Sequence, residues 1–530
     1  MNEPIFTPDL DGQMRMIAAL RAQLAGRTGG PERTELVETH ISWVLLAGDE
    51  AFKIKKAVGL DFLDFSTLED RRFFCQEELR LNRRTAPELY LDVLPITGPP
   101  EQPAIDGHGP VIDYAVHMRR FAPEQLLTAH LAGEPAPWLG GALASAVAGF
   151  HRTLPRSRGS SLHGLPEEIR NATGEVCASL NALVPSATGH HLLREVAAWI
   201  EAEGERLDCV FSARRQAGRV RECHGDLHCG NIIAHDGVAR LFDGIEFSAS
   251  LRFIDVIDDL AFLLMDLQAR GQPRLANECL NRYLEITADY EGLRVLRYYV
   301  AYRALVRAMV SLLQRAESAT AVAAAEARAV AYLAVAQAQS RTTPPALVLT
   351  HGFSGAGKSS LSLALAAHLG GIRLRADVER GRLYGTGAAS RPDKYAPYAS
   401  EATYERLAHL ATLCVASGWM PVVDATFLQR VRRARFHALA AELQARLGVV
   451  DFQAPPALLA ERIRDRHGSD ASEADLRVLQ HQLATAEPLT PDEPGHVLPY
   501  DTTRALADAH QPDSWQPLLD YLMRPPPPAD

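Results

Sequence analysis

The sequence has little cysteine and no long run of apolar residues. Its seven cysteines are scattered through 530 residues and odd in number, so we expect no disulfide framework. No run of about 18 apolar residues occurs, and we therefore expect no segment to span a membrane. The N-terminus, MNEPIFTPDLDGQ, lacks the basic-then-apolar order of a signal peptide. These absences predict a cytoplasmic protein.

Net positive charge and aromatic residues are also scarce. The formal net charge is −10 and aromatic residues make up 7% of the chain. An acidic chain is unsuited to a broad nucleic-acid surface, and few aromatic side chains leave few platforms for stacked bases. Nucleic acid is therefore an improbable partner, although the arginines of QRVRRARF, residues 429–436, keep an end-processing enzyme open as an alternative.

A chain of this length exceeds one hydrophobic core, and composition indicates where it divides. The stretch ESATAVAAAEARAVAYLAVAQAQS is rich in alanine, which favours a helix. RTTPP follows, and paired prolines cannot continue a helix. We predict a domain boundary near Thr343.

After that boundary, ALVLTHGFSGAGKSSLSLALAAHL is typical of a strand, a glycine loop and a helix. The loop has the full Walker A pattern, in which glycines let backbone N–H groups surround phosphate oxygens. The helix N-terminus favours the same anion, while the lysine reaches the β and γ phosphates and the serine hydroxyl ligates Mg²⁺. The predicted nucleotide-binding residues are Gly352, Ser354, Gly355, Ala356, Gly357, Lys358, Ser359 and Ser360.

Two carboxylates follow predicted strands in this half. Asp377 comes after a short strand in RLRADVERGRLYG, and Asp424 ends the strand in MPVVDATFL. Strand ends line the ligand crevice of a doubly wound sheet. A carboxylate there holds Mg²⁺ through water or accepts a proton from a substrate hydroxyl.

Two arginines lie further on. Arg462 and Arg466 are four residues apart and share one helix face, and Ser472-x-x-Asp475 has the spacing of a capping box. This pattern suits a lid that closes on the γ-phosphate, but it equally suits a solvated basic face.

The order of these motifs over residues 345–520 resembles small P-loop kinases such as gluconate kinase, chloramphenicol phosphotransferase and polynucleotide kinase. The resemblance implies that Asp377 and Asp424 are substrate-side carboxylates and that Arg462 and Arg466 belong to a lid. The region has no guanine-specificity motif, which disfavours a GTPase.

RECHGDLHCGNII, residues 221–233, places two cysteines and two histidines within seven positions. Adjacent ligands point in different directions and no second cluster follows, so a zinc site is disfavoured. The spacing His224-x-Asp226-Leu227-x3-Asn231 instead matches a kinase catalytic loop. In that loop the aspartate activates a hydroxyl and the asparagine ligates Mg²⁺, while Asp243 in ARLFDGIEF stands where a second metal ligand is expected.

A phosphate-binding lysine is expected upstream of this loop. The alternating FKIKK puts Lys53 and Lys55 on one face of a strand, with Lys53 the first choice. The following helix supplies Glu78, or alternatively Glu77, to hold the lysine. No G-x-G-x-x-G loop precedes these strands.

HGDLHCGN followed by FDGIEF strongly resembles the aminoglycoside phosphotransferase-like family of small-molecule kinases. The resemblance implies that Asp226 is the catalytic base, that Asn231 and Asp243 are Mg²⁺ ligands, and that both loop histidines are structural. RFIDVIDDLAFLLMDL resembles a helix of that family whose aspartates, Asp255 and Asp259, brace the catalytic loop.

The order of the two halves resembles bacterial bifunctional aminoglycoside phosphotransferase-like/ATP-binding proteins. It implies an α+β kinase-like half with two lobes, followed by an α/β P-loop domain with a mostly parallel sheet. ATP and Mg²⁺ would serve two small-molecule hydroxyl kinases; alternatively, the P-loop half only gates the other half. We predict a helical extension (1–30), an N-lobe (31–120), a helical C-lobe (121–342), a P-loop kinase domain (343–522) and a disordered tail (523–530).

Overall fold

The structure, a computed structural model, describes residues 9–60, 63–156, 162–313, 319–385, 396–465 and 476–524. The chain forms two compact units. The first comprises Met1–Ala182 and Glu201–Asp266, and the second comprises Leu183–Ile200 and Leu267–Asp530. The change of unit at residue 266 comes well before the proline pair near Thr343, because the helices that follow it pack in the second unit.

The first unit opens with an antiparallel sheet that is covered by helices. The helices are α1 (Leu10–Thr28) and α2 (Leu68–Asn82), and the strands are β1 (Thr34–Glu38), β2 (Ser42–Ala47), β3 (Glu50–Lys55), β4 (Gly59–Leu60), β5 (Leu63–Asp64), β6 (Tyr90–Thr97), β7 (Ala104–Ile105) and β8 (Val111–Arg119). The main sheet has the order β1-β2-β3-β8-β6-β7, and β4 pairs with β5. Strands β2 and β3 pair as an antiparallel hairpin, and β3 carries Lys53 and Lys55.

Apolar residues of α1 bury one face of this sheet. Met16, Ile17 and Leu20 pack with strand residues such as Trp43 and Phe52. Asp9 caps the helix N-terminus by accepting from Gly12 N–H, and Gly29 ends the helix with a φ of 89°. Only glycine adopts that left-handed conformation without strain, so the helix ends there.

The rest of the first unit is mainly helical, and it carries the predicted catalytic loop, residues 223–231, between short strands. Its elements are α3 (Leu139–Thr153), α4 (Pro166–Leu183), α5 (Ala187–Arg206), α6 (Asp208–Gln216), β9 (Val220–Glu222), β10 (Ile232–His235), β11 (Val238–Leu241), α7 (Ala249–Arg252), β12 (Phe253–Asp255) and α8 (Val256–Ala269). The first part of α5 belongs to the second unit. Strands β10 and β11 form a hairpin, and β12 pairs with β9.

The second unit contains a parallel sheet flanked by helices. Its elements are α9 (Pro273–Thr287), α10 (Leu293–Leu313), α11 (Ala319–Gln339), β13 (Ala346–His351), α12 (Lys358–Leu369), β14 (Ile372–Arg375), α13 (Ala376–Tyr384), α14 (Pro397–Ala416), β15 (Pro421–Asp424), α15 (Arg430–Glu442), β16 (Arg446–Gln453), α16 (Pro456–Arg464), α17 (Leu476–Thr485), β17 (His496–Asp501) and α18 (Gln516–Leu522). The strand order is β14-β15-β13-β16-β17, with every neighbouring pair parallel. The predicted fold class, an α+β part followed by an α/β part, is confirmed.

Among the described residues, one helix is long and apolar enough to cross a membrane by length and composition. It is α11, over Thr320–Gln339, with a mean hydropathy of 1.2 and 28% of that window buried. A single such helix is weak evidence, because core helices of globular proteins reach the same values. The expectation that no segment spans a membrane therefore stays a prediction. The cytoplasmic location stays a prediction.

Candidate functional site

The catalytic loop of the first unit lies between β9 and β10 and is braced by α8. Asp259 of α8 accepts hydrogen bonds from the backbone N–H groups of His224 (3.1 Å) and Gly225 (2.9 Å). Further along α8, Asp266 accepts from Cys229 N–H at 2.9 Å. The bracing role predicted for Asp259 is confirmed, whereas Asp255 pairs with Arg214 of α6 at 2.7 Å.

His224 holds the shape of the loop from within. Its Nε2 lies 2.8 Å from the carbonyl oxygen of Phe242, and its Nδ1 accepts from Asp226 N–H at 3.3 Å. Burial lowers the pKa of His224 below its ordinary value, so the ring is neutral near pH 7. A neutral ring donates through one nitrogen and accepts through the other, as this geometry requires.

The structure brings Asp226 and Asn231 together. The side-chain amide of Asn231 donates to the main-chain oxygen of Asp226 at 3.0 Å and to its Oδ2 at 3.2 Å. This leaves the amide oxygen of Asn231 as an acceptor. The Asp226 side chain keeps 33% of its surface exposed, so a substrate hydroxyl can approach it.

Asp243 follows β11 and is held in an unusual backbone conformation. Its φ is 61°, which is uncommon outside glycine and is found at functional sites. Its N–H donates to the Tyr90 hydroxyl at 3.1 Å, and the next N–H, of Gly244, donates to Asn82 at 2.8 Å. One carboxylate oxygen lies 2.5 Å from Lys53 Nζ, which links the loop to the sheet.

Both predicted lysines of β3 contact the predicted glutamate of α2. Lys53 lies 2.9 Å and Lys55 2.8 Å from the two carboxylate oxygens of Glu78. Burial alone would raise the pKa of Glu78, but Lys53 and Lys55 outweigh it and bring the pKa to about 2. Glu77, the alternative, pairs instead with Arg80 and Arg252.

The two lysines differ in access to solvent. The Lys53 side chain is 12% exposed and reaches Asp243, whereas Lys55 is fully buried and forms a second ion pair, with Glu246. The sequence motifs did not indicate Glu246. It could have been found from its place between Ile245 and Phe247, three residues after Asp243. A charged residue between apolar neighbours is expected to need a partner when it is buried.

Three buried groups in the described part of the chain lie close enough to hold a metal ion, namely His151, Cys223 and Asp259. The other cysteine and histidines of the loop are outside this group. Both oxygens of Asp259 already accept hydrogen bonds, from backbone N–H groups and from His151 at 3.0 Å. Burial raises the pKa of the Cys223 thiol well above its ordinary value and so opposes the thiolate that a metal would need. The cluster is a brace for the loop.

In the second unit, the Walker A loop connects β13 to α12. Gly352, Gly355 and Gly357 have φ values of 140°, 84° and 77°. A Cβ on Gly352 would lie 2.7 Å from the oxygen of Phe452, and one on Gly355 2.6 Å from that of Leu459. Glycine is therefore required at both positions, and the loop has the shape of a phosphate cradle.

Polar groups of the loop have partners within the unit. Lys358 Nζ donates to the carbonyl oxygens of Gly352 (3.0 Å) and Phe353 (2.7 Å). The N–H of Ser354 donates to the side-chain oxygen of Gln482 in α17 at 2.9 Å. Ser359 and Ser360 stand in the first turn of α12, where the helix N-terminus favours an anion.

Asp377 and Asp424 both lie at the carboxyl edge of the parallel sheet, as predicted. Asp424 ends β15 and accepts from the Ser362 hydroxyl of α12 at 2.8 Å. Asp377 follows β14 and lies 3.2 Å from Arg380, with 31% of its side chain exposed. Burial raises the pKa of Asp377, Arg380 opposes the rise and Asp424 adds to it. Of the two carboxylates, Asp377 is the better placed to exchange a proton.

The predicted lid arginine Arg462 lies beside the Walker A loop. Its guanidinium donates to the Thr502 hydroxyl at 3.1 Å and to the Thr502 carbonyl at 2.6 Å. A Cβ on Gly357 would lie 3.9 Å from Arg462 Nη1. Arg466 and the capping box at Ser472 and Asp475 lie outside the described residues.

The donor sets fit ATP and Mg²⁺. Asn231 and Asp243 offer oxygen ligands, which Mg²⁺ prefers, and Lys53 stands beside Asp243. In the second unit, the cradle of backbone N–H groups, Lys358 and the Ser359 hydroxyl form the equivalent set.

Comparison with known proteins defines the class of both halves. The family model "Phosphotransferase enzyme family" matches residues 75–299, and the model "AAA domain" matches residues 347–489. The chain is a kinase-like phosphotransferase domain followed by a P-loop kinase-like domain, and the resemblance predicted from the sequence is confirmed. The phosphotransferase match continues to residue 299, past the change of unit at residue 266.

Two mycobacterial relatives define the family. Uncharacterized proteins Rv2004c of Mycobacterium tuberculosis H37Rv and Mb2027c of Mycobacterium bovis are each 30% identical to this chain over 443 residues, covering 82% of this chain and 86% of theirs. The chain belongs to the same family as these proteins.

Two solved structures that are similar to parts of this chain are described as kinases. A choline/ethanolamine kinase family protein from Mesorhizobium loti is 16% identical, with a TM-score of 0.36, over 62% of this chain and 99% of that chain. A gluconokinase from Sinorhizobium meliloti 1021 is 24% identical, with a TM-score of 0.24, over 34% of this chain and 96% of that chain.

Proposed function

We propose that this protein transfers the γ-phosphate of ATP to hydroxyl groups of small molecules at two separate sites. The observation that supports this most is the arrangement in the first unit. There Asn231 contacts Asp226, and Lys53 joins Asp243 to Glu78. Those residues supply a base, two metal ligands and a phosphate-binding cation, which is the set that phosphoryl transfer from ATP needs.

At the first site, Asp226 accepts the proton of the acceptor hydroxyl as its oxygen attacks the γ-phosphorus. The bond between the γ-phosphorus and its bridging oxygen then breaks and ADP leaves. Asn231 and Asp243 would hold Mg²⁺, which neutralises charge on the β and γ phosphates when bound. Lys53, fixed by Glu78, binds the α and β phosphates. Exposure favours Lys53 over the fully buried Lys55 for this role.

The two lysines are expected to respond differently to replacement. Lys53→Met should weaken ATP binding about tenfold and leave thermal stability nearly unchanged, because Lys55 still compensates Glu78. Lys55→Met should instead destabilise the fold by about 3 to 5 kcal/mol, because it leaves the buried Glu246 carboxylate without its cation and leaves Glu78 with Lys53 alone. Calorimetric ATP titration and thermal unfolding of both variants check this. A stable Lys55→Met protein that no longer binds ATP would reverse the assignment.

At the second site, Lys358 and the cradle hold the β and γ phosphates, and Ser359 offers a hydroxyl ligand for Mg²⁺. Asp377 accepts the proton of the second acceptor hydroxyl, and Arg462 stands where it can neutralise charge on the transferring phosphoryl group. Asp424, bonded to Ser362, positions the start of α12.

The raised pKa of Asp377 has a consequence for pH dependence. A base acts only when ionised, so activity at the second site should fall as the pH falls through this raised pKa. The acid limb of the kcat/KM profile should therefore lie above the ordinary carboxyl range of about 4. Asp377→Asn should abolish this activity, and Asp424→Asn, which removes a neighbouring negative charge, should move the limb to lower pH. An acid limb at an ordinary carboxyl pKa would contradict the assignment.

Three of the four arginines of α15 pair with carboxylates, which disfavours a nucleic-acid substrate. Arg430 pairs with Asp492, Arg433 with Glu493 and Arg435 with Glu401. Arginines neutralised by carboxylates are poor contacts for a phosphate backbone.

The proposal is tested by offering the purified protein ATP, Mg²⁺ and a library of small hydroxyl compounds, followed by mass spectrometry. We expect at least one phosphorylated product. If ATP yields only inorganic phosphate with every compound tried, and no phosphorylated product forms, the proposed transfer is contradicted. The Lys358→Ala variant distinguishes this function from the alternative, in which the P-loop half only gates the first site.

A further inference from the structure

Helix α9 lies within the phosphotransferase match but packs in the second unit, against the start of β14. Asn281 accepts from the backbone N–H of Arg373 at 2.6 Å and donates to the carbonyl of Gly371 at 3.1 Å. Asn277 donates to the same carbonyl at 3.1 Å. A helix of one family match therefore supplies polar partners to a strand of the other.

The charged centre of this contact is Glu285, near the end of α9. Its Oε1 accepts from Arg373 Nε at 2.8 Å and from Nη2 at 2.5 Å. Arg373 is almost completely buried, and a buried guanidinium needs a carboxylate to compensate its charge. The other oxygen of Glu285 lies 3.3 Å from Arg282 of the same helix and 3.9 Å from Arg375.

Both arginines reach the Walker A serine. Arg373 Nη1 donates to the carbonyl oxygen of Ser359, and Arg375 Nη2 lies 3.4 Å from its hydroxyl oxygen. Arg373 and Arg375 are two apart in β14, so they lie on one face of the strand. The carboxylate of Glu285 thus holds two cations against the main-chain and side-chain oxygens of one residue.

We propose that Glu285 is a positioning residue of the P-loop site, acting through Arg373 and Arg375 to orient the Ser359 hydroxyl toward Mg²⁺. This rests on the proposed function, in which Ser359 ligates the metal. It assigns to the phosphotransferase segment a part in building the nucleotide site of the other domain. A P-loop site without α9 would lack the Glu285 carboxylate, which lies 2.5 Å from Arg373 and 3.9 Å from Arg375.

The test uses the full-length chain with Asp243→Asn, which disables the first site, and a non-hydrolysable ATP analogue. Calorimetry measures analogue affinity over a Mg²⁺ series. Glu285→Gln should raise the Mg²⁺ concentration needed for half-maximal affinity about tenfold, and it should change affinity in EDTA little, because only the metal ligand is misplaced. Asn277→Ala, in the same contact but remote from the arginines, is the matched control and should leave the Mg²⁺ dependence unchanged.

A second variant separates positioning from loss of stability. In Glu285→Leu/Arg373→Met, both charges are replaced by apolar side chains, which is expected to preserve folding better than removing one partner. The Mg²⁺ dependence should remain weakened in this double variant. A normal Mg²⁺ dependence in either this variant or Glu285→Gln would overturn the inference. Should the Asp243→Asn parent bind analogue with no dependence on Lys358, the proposed function of the P-loop half fails instead.

Discussion

Replacing Asp226 with asparagine is expected to lower kcat at the first site by about a thousandfold, within the range for loss of a general base. Asparagine has nearly the same shape, so the contact with Asn231 can persist and ATP should bind with little change. The loss therefore falls on the chemical step, and it corresponds to about 4 kcal/mol of transition-state stabilisation.

The measurement uses an acceptor found in the hydroxyl library and a Lys358→Ala background, so that only the first site can act. Asp236→Asn is the control, because Asp236 lies in the turn between β10 and β11 with 84% of its side chain exposed. Its rate should equal that of the parent. If Asp226→Asn keeps more than a tenth of the activity, Asp226 is not the base.

Lys358→Ala is expected to lower the rate of phosphoryl transfer at the second site by about a hundredfold to a thousandfold. Losing a preorganised positive charge that stabilises the transferring phosphoryl group has an effect of this size. In the unsubstituted protein, the Lys358 ammonium donates to the loop carbonyls of Gly352 and Phe353. From this position it can reach a bound phosphate without a change in the backbone. Product formation in an Asp243→Asn background measures this loss, and Lys358→Arg tests whether charge alone suffices.

The same variant separates two independent kinases from a kinase with a regulatory module. With Asp243 intact, Lys358→Ala should leave the first reaction at its normal rate if the sites are independent. A parallel loss of the first reaction would instead show that nucleotide at the P-loop gates it, which was the alternative open from the sequence.

Motifs whose residues are close in sequence could be predicted. Local backbone geometry determines the Walker A loop and the spacing of Asp226, Asn231 and Asp243. A short stretch of sequence is therefore enough to predict them. Lys53 is the first choice from the sequence, but the local pattern gives no physical reason to prefer it over Lys55. Alternation places both on one face, and their different burial arises from Glu246 and Asp243, which are about 190 residues away.

Contacts between distant segments account for what the sequence did not indicate. Arg373 and Arg375 stand in the short stretch IRLR, where they look like exposed charges. Their role depends on Glu285 of α9, which no local pattern connects to β14. The proline pair near Thr343 follows the end of a helix, whereas the compact units divide at residue 266. Packing of the helices, rather than flexibility of the chain, determines the position of this division.

The position of α9 also bears on how such a chain can be inherited. A gene cut at the codons for the proline pair would leave Glu285, with Arg282, on one fragment and Arg373 and Arg375 on the other. The second fragment would then expose two arginines without this carboxylate, so we expect the two halves not to exchange freely between proteins. Replacing the P-loop half with that of a relative should give a folded protein only when residues 267–342 are exchanged together with it.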